Sequence, residues 1–202
     1  MLLTSHFLSI MNLFRTLRGV ALLGLAGAGL SGCLSAPSYS NTPEIEFTDV
    51  RVTRIPPPKP GDLTEVDLEF VLSFRDGDGD LGLDPEDLNN PPFNSTTGGH
   101  NGKGFGLNYF VQPYKKNPAT GKFEFFLNPP PFGKVGEYDD RYPRLNGADG
   151  RAAPLKGELR HMVPFFLDGT VFNTGDVFRF EISILDRGLH ESNKITTSEV
   201  TL

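Results

Sequence analysis

The 202-residue sequence predicts an all-β fold in which two antiparallel sheets pack face to face. Three observations carry that expectation. Seven segments rich in Val, Ile, Phe, Leu and Thr are bounded by Gly, Pro, Asn and Asp, the punctuation of strands and turns. Two of the seven alternate apolar and polar residues with a period of two, so each has one face to bury. No segment keeps a 3.6-residue apolar period over ten residues, which leaves no amphipathic helix to build a core.

The first segment, Glu44 to Ile55, changes apolar parity between Ile45/Phe47 and Val50/Val52, which predicts a β-bulge or a strand that passes between sheets. The second, Thr64 to Arg75, places Val66, Leu68, Phe70, Leu72 and Phe74 on one face and Asp67, Glu69, Ser73 and Arg75 on the other. Phe105 to Lys116, Lys122 to Leu127 and Leu155 to Val163 follow as the third to fifth. The sixth, Asp176 to Asp186, sets Phe178, Phe180, Ile182 and Ile184 against Arg179, Glu181 and Ser183, and Lys194 to Leu202 is the seventh. About seven strands with inward faces of this kind make a two-sheet sandwich, a closed barrel being the alternative. Two Pro-, Gly- and Asn-rich loops interrupt them, Asp84 to Gly104 and Asn128 to Pro154, and loops of more than about 15 residues in a compact domain are usually functional or disordered.

Ahead of the strands lies an address. Arg15 and Arg18 form a positive n-region, and Val20 to Leu30 (VALLGLAGAGL) is an apolar run of 11 residues, the length of a secretory h-region. It is short of the roughly 20 apolar residues that span a bilayer, and Gly24, Gly27 and Gly29 dilute it. Met11 offers a second start in front of it. The only cysteine, Cys33, closes Leu30-Ser31-Gly32-Cys33 directly behind the run. This placement resembles a bacterial lipoprotein signal, which implies removal of residues 1–32 and lipid modification of Cys33. The alternative for Cys33 is a small hydrophobe buried at a helix end. Leu34 follows with no acidic cluster, a pattern similar to sorting to the outer membrane, in either leaflet. Residues 33–43 then form a lipidated tether, and 44–202 a single sandwich domain.

Removing the leader takes away two of the 19 basic residues and none of the 25 acidic ones, so the formal charge moves from −6 to −8. An acidic surface without clustered Lys and Arg argues against a nucleic-acid partner, because phosphate binding works through counterion release. With its one cysteine lipidated, the fold has no disulfide to lean on.

The most chemically pointed motif is Asp76-Gly77-Asp78-Gly79-Asp80-Leu81-Gly82-Leu83, at the end of the second strand. Alternating Asp and Gly lets a backbone curl tightly while three carboxylates converge, as calcium loops do with ligands at positions 1, 3 and 5. Counting on, Asp84 falls at position 9 and Asp87 at position 12, which completes a candidate Ca2+ set of Asp76, Asp78, Asp80, Asp84 and Asp87. Leu81 stands where an EF-hand has glycine, Asp87 replaces the bidentate glutamate and no helices flank the loop, so it is not an EF-hand. The plainer alternative is an Asx-type turn neutralised by Arg75 or another base.

A strand ending in D-G-D-G-D-[LI]-G-L, then an aromatic strand, then Asp-Arg near the last strands, resembles Ig-like lipoproteins common in Bacteroidetes-type bacteria. The matching residues are Asp76 to Leu83, Asn108-Tyr109-Phe110 with Gly121-Lys122-Phe123, Arg141-Tyr142-Pro143, and Asp186-Arg187 with Ser192-Asn193. The resemblance runs in that order through most of the chain beyond Cys33. It implies an Ig-like or fibronectin-III-like sandwich at the outer membrane and no particular mechanism.

Asp186-Arg187 reads either as a structural turn or as a polar cluster facing the acidic loop across the sandwich end. His100 and His161 lack partners at zinc-ligand spacing and read as surface residues. No Gly-x-Ser-x-Gly, phosphate loop or nucleophilic cysteine is present, so the chain reads as a non-enzyme. The expected function is a calcium-stabilised, lipid-anchored binding or structural module whose long loops meet a protein or glycan partner. Two rivals stand beside it. A carbohydrate-binding lipoprotein of a glycan-uptake system would use Tyr109, Tyr114, Tyr138 and Tyr142 as its platform, although the absence of tryptophan weakens it. A hydrolase would be built on Asp139 and Asp140 with Asp186.

Overall fold

Residue parity along the strands decides which side chains meet between the sheets. The computed structural model describes residues 38–146 and 151–202, so the leader, the lipobox and Cys33 lie outside the described residues. One antiparallel sheet has the order β1-β2-β5, from β1 (Glu44–Ile55), β2 (Thr64–Asp76) and β5 (Leu155–Leu167). The other runs β4-β3-β6-β7, from β3 (Tyr109–Lys116), β4 (Phe123–Phe125), β6 (Val177–Ile184) and β7 (Ile195–Thr196), with β8 (Val200–Thr201) also on β6. Two separate antiparallel sheets, one of three strands and one of five, make this an Ig-like, fibronectin-III-like β-sandwich and not a closed barrel.

The two alternating strands are the inner faces of opposite sheets. Val66, Leu68, Phe70, Leu72 and Phe74 of β2 are buried, as are Phe178, Phe180, Ile182 and Ile184 of β6. Phe70 and Phe180 meet edge to face at 4.9 Å between ring centroids, and Phe126, Phe165, Phe172 and Phe178 extend the aromatic core. In a chain without tryptophan, phenylalanine supplies the bulk that holds the sheets apart at their packing distance.

The parity change in β1 is a bulge between Phe47 and Asp49, and the strand stays on β2 along its whole length. The second strand runs one residue further, to Asp76, and the fourth and sixth are trimmed to Phe123–Phe125 and Val177–Ile184; three other differences from the sequence expectation have a local cause. The third strand begins at Tyr109, not Phe105, because the Asn108 side chain is committed to the Tyr142 backbone: Oδ1 accepts from the Tyr142 amide at 2.9 Å and Nδ2 donates to its carbonyl at 3.3 Å. The seventh segment splits into β7 and β8, since the Thr197 hydroxyl accepts from the Phe180 amide at 3.0 Å in place of a backbone rung. The fifth runs on to Leu167 through Pro164, which an edge strand tolerates. The first long loop carries short 3-10 turns at Asp87–Asn89 and His100–Gly102 and touches the second where Asn101 donates to Asp139 at 2.9 Å.

Phe70→Ala is expected to cost about 3–5 kcal/mol in denaturant unfolding, by removing the ring that bridges the sheets. Met162→Ala, at a side chain half exposed on β5, is expected to stay within about 0.5 kcal/mol.

Candidate metal centre

The inward parity of β2 does not stop at Phe74. The next inward position is Asp76, which is completely buried. Likewise the inward series Phe178, Phe180, Ile182, Ile184 of β6 continues to Asp186, whose side chain is also fully buried. An antiparallel bridge between Leu81 and Asp186 brings the loop after β2 to the turn after β6, so both acids sit at the same end of the sandwich. Leu81 and Leu83 of the motif are buried and plug that end into the core. Gly79, at φ 69°, lets the loop turn where a Cβ would lie 2.2 Å from the Ala153 carbonyl oxygen.

This curl brings Asp76, Asp78 and Asp80 together: each offers a carboxylate oxygen within 4.8 Å of the others. The Oδ1 atoms of all three are buried and have no hydrogen-bond partner. The other Asp76 oxygen, Oδ2, accepts from the Asp80 amide at 3.1 Å. Among the described residues no Lys or Arg forms an ion pair with any of the three. Arg75, the base the plain-turn alternative needs, points to the opposite face of β2 and pairs with Glu44 and Glu46 at 2.8 and 2.7 Å.

Burial, then the charges of Asp78 and Asp80, push the Asp76 carboxyl up to about 6. Burial, then Asp186 and Asp78, push Asp80 up to about 6 against the opposing pull of the Gly188 and Arg187 amides. For fully buried Asp76, a rise of that size corresponds to about 3 kcal/mol against the ionised form. Beneath the cluster the Tyr142 hydroxyl, raised well above its ordinary range by burial and by Asp186, Asp76 and Asp80, remains neutral and donates to the Leu185 carbonyl at 3.2 Å.

Asp186 thus faces the acidic loop, as the polar-cluster reading expects, but it lies outside the three-carboxylate group. Its oxygens accept from the His190 amide at 2.7 Å and meet His190 Nδ1 at 2.9 Å. Arg187 does not join it: the guanidinium turns to the Asp87 carboxylate. Asp84 and Asp87, expected as further ligands, are likewise drawn off by arginine. Arg144 reaches Asp84 at 3.2 Å and Asp87 at 3.7 Å. Burial alone would raise the Asp87 carboxyl, but Arg187, the Asp84 amide and Arg144 outweigh it and hold it below its ordinary range. The converging group therefore stops at Asp80, because two arginines remote in sequence supply the neutralising charge at the last positions of the calcium-loop count.

The other candidate sites disperse. Tyr109 and Tyr142, two of the four platform tyrosines, are 0% and 1% exposed. Tyr138, half-buried, stacks on Phe165 against the core, and Tyr114 lies on the outer sheet face with its hydroxyl donating to Glu181 at 3.0 Å. These four cannot form one sugar platform. Asp139 accepts from Val111 and Asn101, Asp140 from Arg141, and neither gathers with Asp186 into a group of three acids. His161, expected at the surface, is mostly buried, with its ring against Tyr109 and 3.3 Å from Asp140. His100 stacks on Phe110 at 3.9 Å. No protein-family model, curated protein or solved structure matches this chain.

Because the folded-state pKa values of Asp76 and Asp80 lie above the ordinary 3.8, the folded chain binds these protons more tightly than the unfolded one. Stability in chelator is therefore expected to rise as pH falls from about 6 towards about 4. His161, whose pKa burial lowers, contributes the opposite sign, so the comparison is with Asp80→Asn, which is expected to flatten the rise in melts at each pH.

Proposed function

We propose that this chain is a lipid-anchored, extracytoplasmic β-sandwich module of the outer membrane, braced by a divalent cation at its acidic end. The observation that carries the cation is the set of three buried, unpartnered oxygens of Asp76, Asp78 and Asp80. Three converging carboxylates without a base, Asp76 fully buried and Asp78 and Asp80 half-buried, leave the negative charge uncompensated, and a hard dication bound by oxygen compensates it directly. Ca2+ suits the site better than Mg2+, which demands octahedral geometry and keeps several of its waters. The ion's role is structural, since its ligands sit where the loop after β2 is bridged to the turn after β6.

The anchor rests on Leu30 to Cys33 and the leader before it. Among the described residues no helix is long and apolar enough to cross a membrane. The contact surface is the pair of long loops and the cleft beside them. Phe132, 80% exposed in the Pro129–Gly133 turn, stands at the rim of an apolar cleft of about 900 Å³ walled by Phe126, Tyr138, Phe165, Phe166 and Phe172. That cleft lies at the Thr64/Leu167 end of the first sheet, away from the acidic loop, so a protein or glycan partner and the cation occupy opposite ends.

Calorimetric titration with Ca2+ is expected to give one site per chain, and saturation at 100 times Kd to raise Tm by about 5–10 °C. The double variant Asp78→Asn/Asp80→Asn is expected to show neither, and an equal response from both proteins would refute the cation. In cells fed labelled palmitate, the wild-type chain is expected to take up label and Cys33→Ser to lose it. Label retained by Cys33→Ser would place any lipid elsewhere.

A further inference from the structure

The acidic loop is also where the chain enters the sandwich. The Gly77 amide donates to the Ser40 carbonyl at 2.7 Å. A Cβ on Gly77 would lie 2.6 Å from the Tyr39 carbonyl oxygen, 2.7 Å from Asn41 Oδ1 and 2.9 Å from the Ser40 carbonyl carbon, so residues 39–41 pack directly on this glycine. Its neighbours in the loop hold other remote segments in the same way: the Ala153 amide donates to the Asp78 carbonyl at 3.0 Å, and the Arg187 amide to the Asp80 carbonyl at 3.3 Å. Every one of these bonds uses the backbone of the turn that a cation would close. An empty turn holds three mutually repelling carboxylates in the same curl, and opening it separates them.

Immediately beyond, the chain is fixed by something else. The Asn193 side chain clamps Ile45 on both sides, with Oδ1 accepting from its amide at 2.8 Å and Nδ2 donating to its carbonyl at 2.9 Å. Ile45 is buried and paired with Phe74. The start of β1 therefore has its own anchorage, whereas Tyr39 to Asn41 have the acidic loop.

On the basis that the acidic loop holds a divalent cation, we propose that its occupancy controls the tether: with the cation bound, Tyr39–Asn41 are docked on Gly77, and with it absent they are released up to Ile45. A lipid on Cys33 would make this a change in how rigidly the sandwich is held at the membrane. Released, Ser38–Glu44 would add their length to the leash between lipid and sandwich, and docked they would not. The coupling is reciprocal, so a docked tether must also strengthen cation binding.

Hydrogen exchange on the full chain, in Ca2+ and in chelator, tests it beside the calorimetry. Ca2+ is expected to slow exchange of the Gly77 amide, whose acceptor is the tether's Ser40 carbonyl, at least tenfold, to slow chymotrypsin cleavage after Tyr39 by a similar factor, and to leave the Ile45 amide unchanged. Gly77→Ala, which displaces the tether and keeps all three carboxylates, is expected to lose the protection against cleavage after Tyr39 and to bind Ca2+ more weakly by a comparable factor. Ca2+ bound by calorimetry with unchanged exchange at Gly77 and unchanged cleavage after Tyr39 overturns the coupling and leaves the cation site standing. No Ca2+ bound overturns both.

Discussion

Two inward-facing positions at one end of an aromatic sandwich carry aspartate where the strand pattern runs apolar, and the rest of that end is arranged around them. Asp76 terminates the buried face of β2 and Asp186 that of β6, one from each sheet. A buried carboxylate is costly unless something compensates its charge or hydrogen-bonds its oxygens. Asp186 is served by His190, whereas Asp76, Asp78 and Asp80 keep unpartnered oxygens. That imbalance, not the count of acids, distinguishes this loop from an ordinary exposed acidic turn.

The geometry also separates two kinds of acid in one short stretch. Asp84 and Asp87, only a few residues on, sit partly exposed between Arg144 and Arg187 and need no ion. Their arginines come from the loop before β5 and from the turn after β6, so the same convergence that leaves the first three acids unneutralised satisfies the last two. Leu81 and Leu83 lie between the groups and hold the loop in the core by burial. The carboxylates can therefore be crowded without the loop leaving the sandwich, because apolar burial offsets part of their repulsion.

Much of this was legible in the sequence, and the limits have physical causes. The alternation of Val66 to Phe74 and of Phe178 to Ile184 placed both central strands and their inner faces, and the parity break in β1 marked the bulge at Phe47/Asp49. The same parity, extended by one step along each strand, reaches Asp76 and Asp186, so the burial of both acids is written in the alternation itself. Side-chain substitution for backbone pairing was not legible: Asn108 delays β3 and Thr197 divides the last strand, and neither leaves a pattern in a local window. Nor were the long-range ion pairs, since nothing near Asp87 announces Arg144 or Arg187. Tyr109 and Tyr142 misled for a related reason: a tyrosine with a polar tip reads as a surface aromatic until the core is seen to receive it.

Everything at the acidic end depends on whether a cation lies among Asp76, Asp78 and Asp80. Anomalous diffraction from crystals grown with Ca2+ and then exchanged into a lanthanide locates such an ion without reference to stability or activity. One peak at about 2.3–2.6 Å from carboxylate oxygens of all three residues is the predicted result. Crystals that hold the three carboxylates in place at saturating ion, show no peak among them and pair their oxygens with a lysine or arginine would contradict the account.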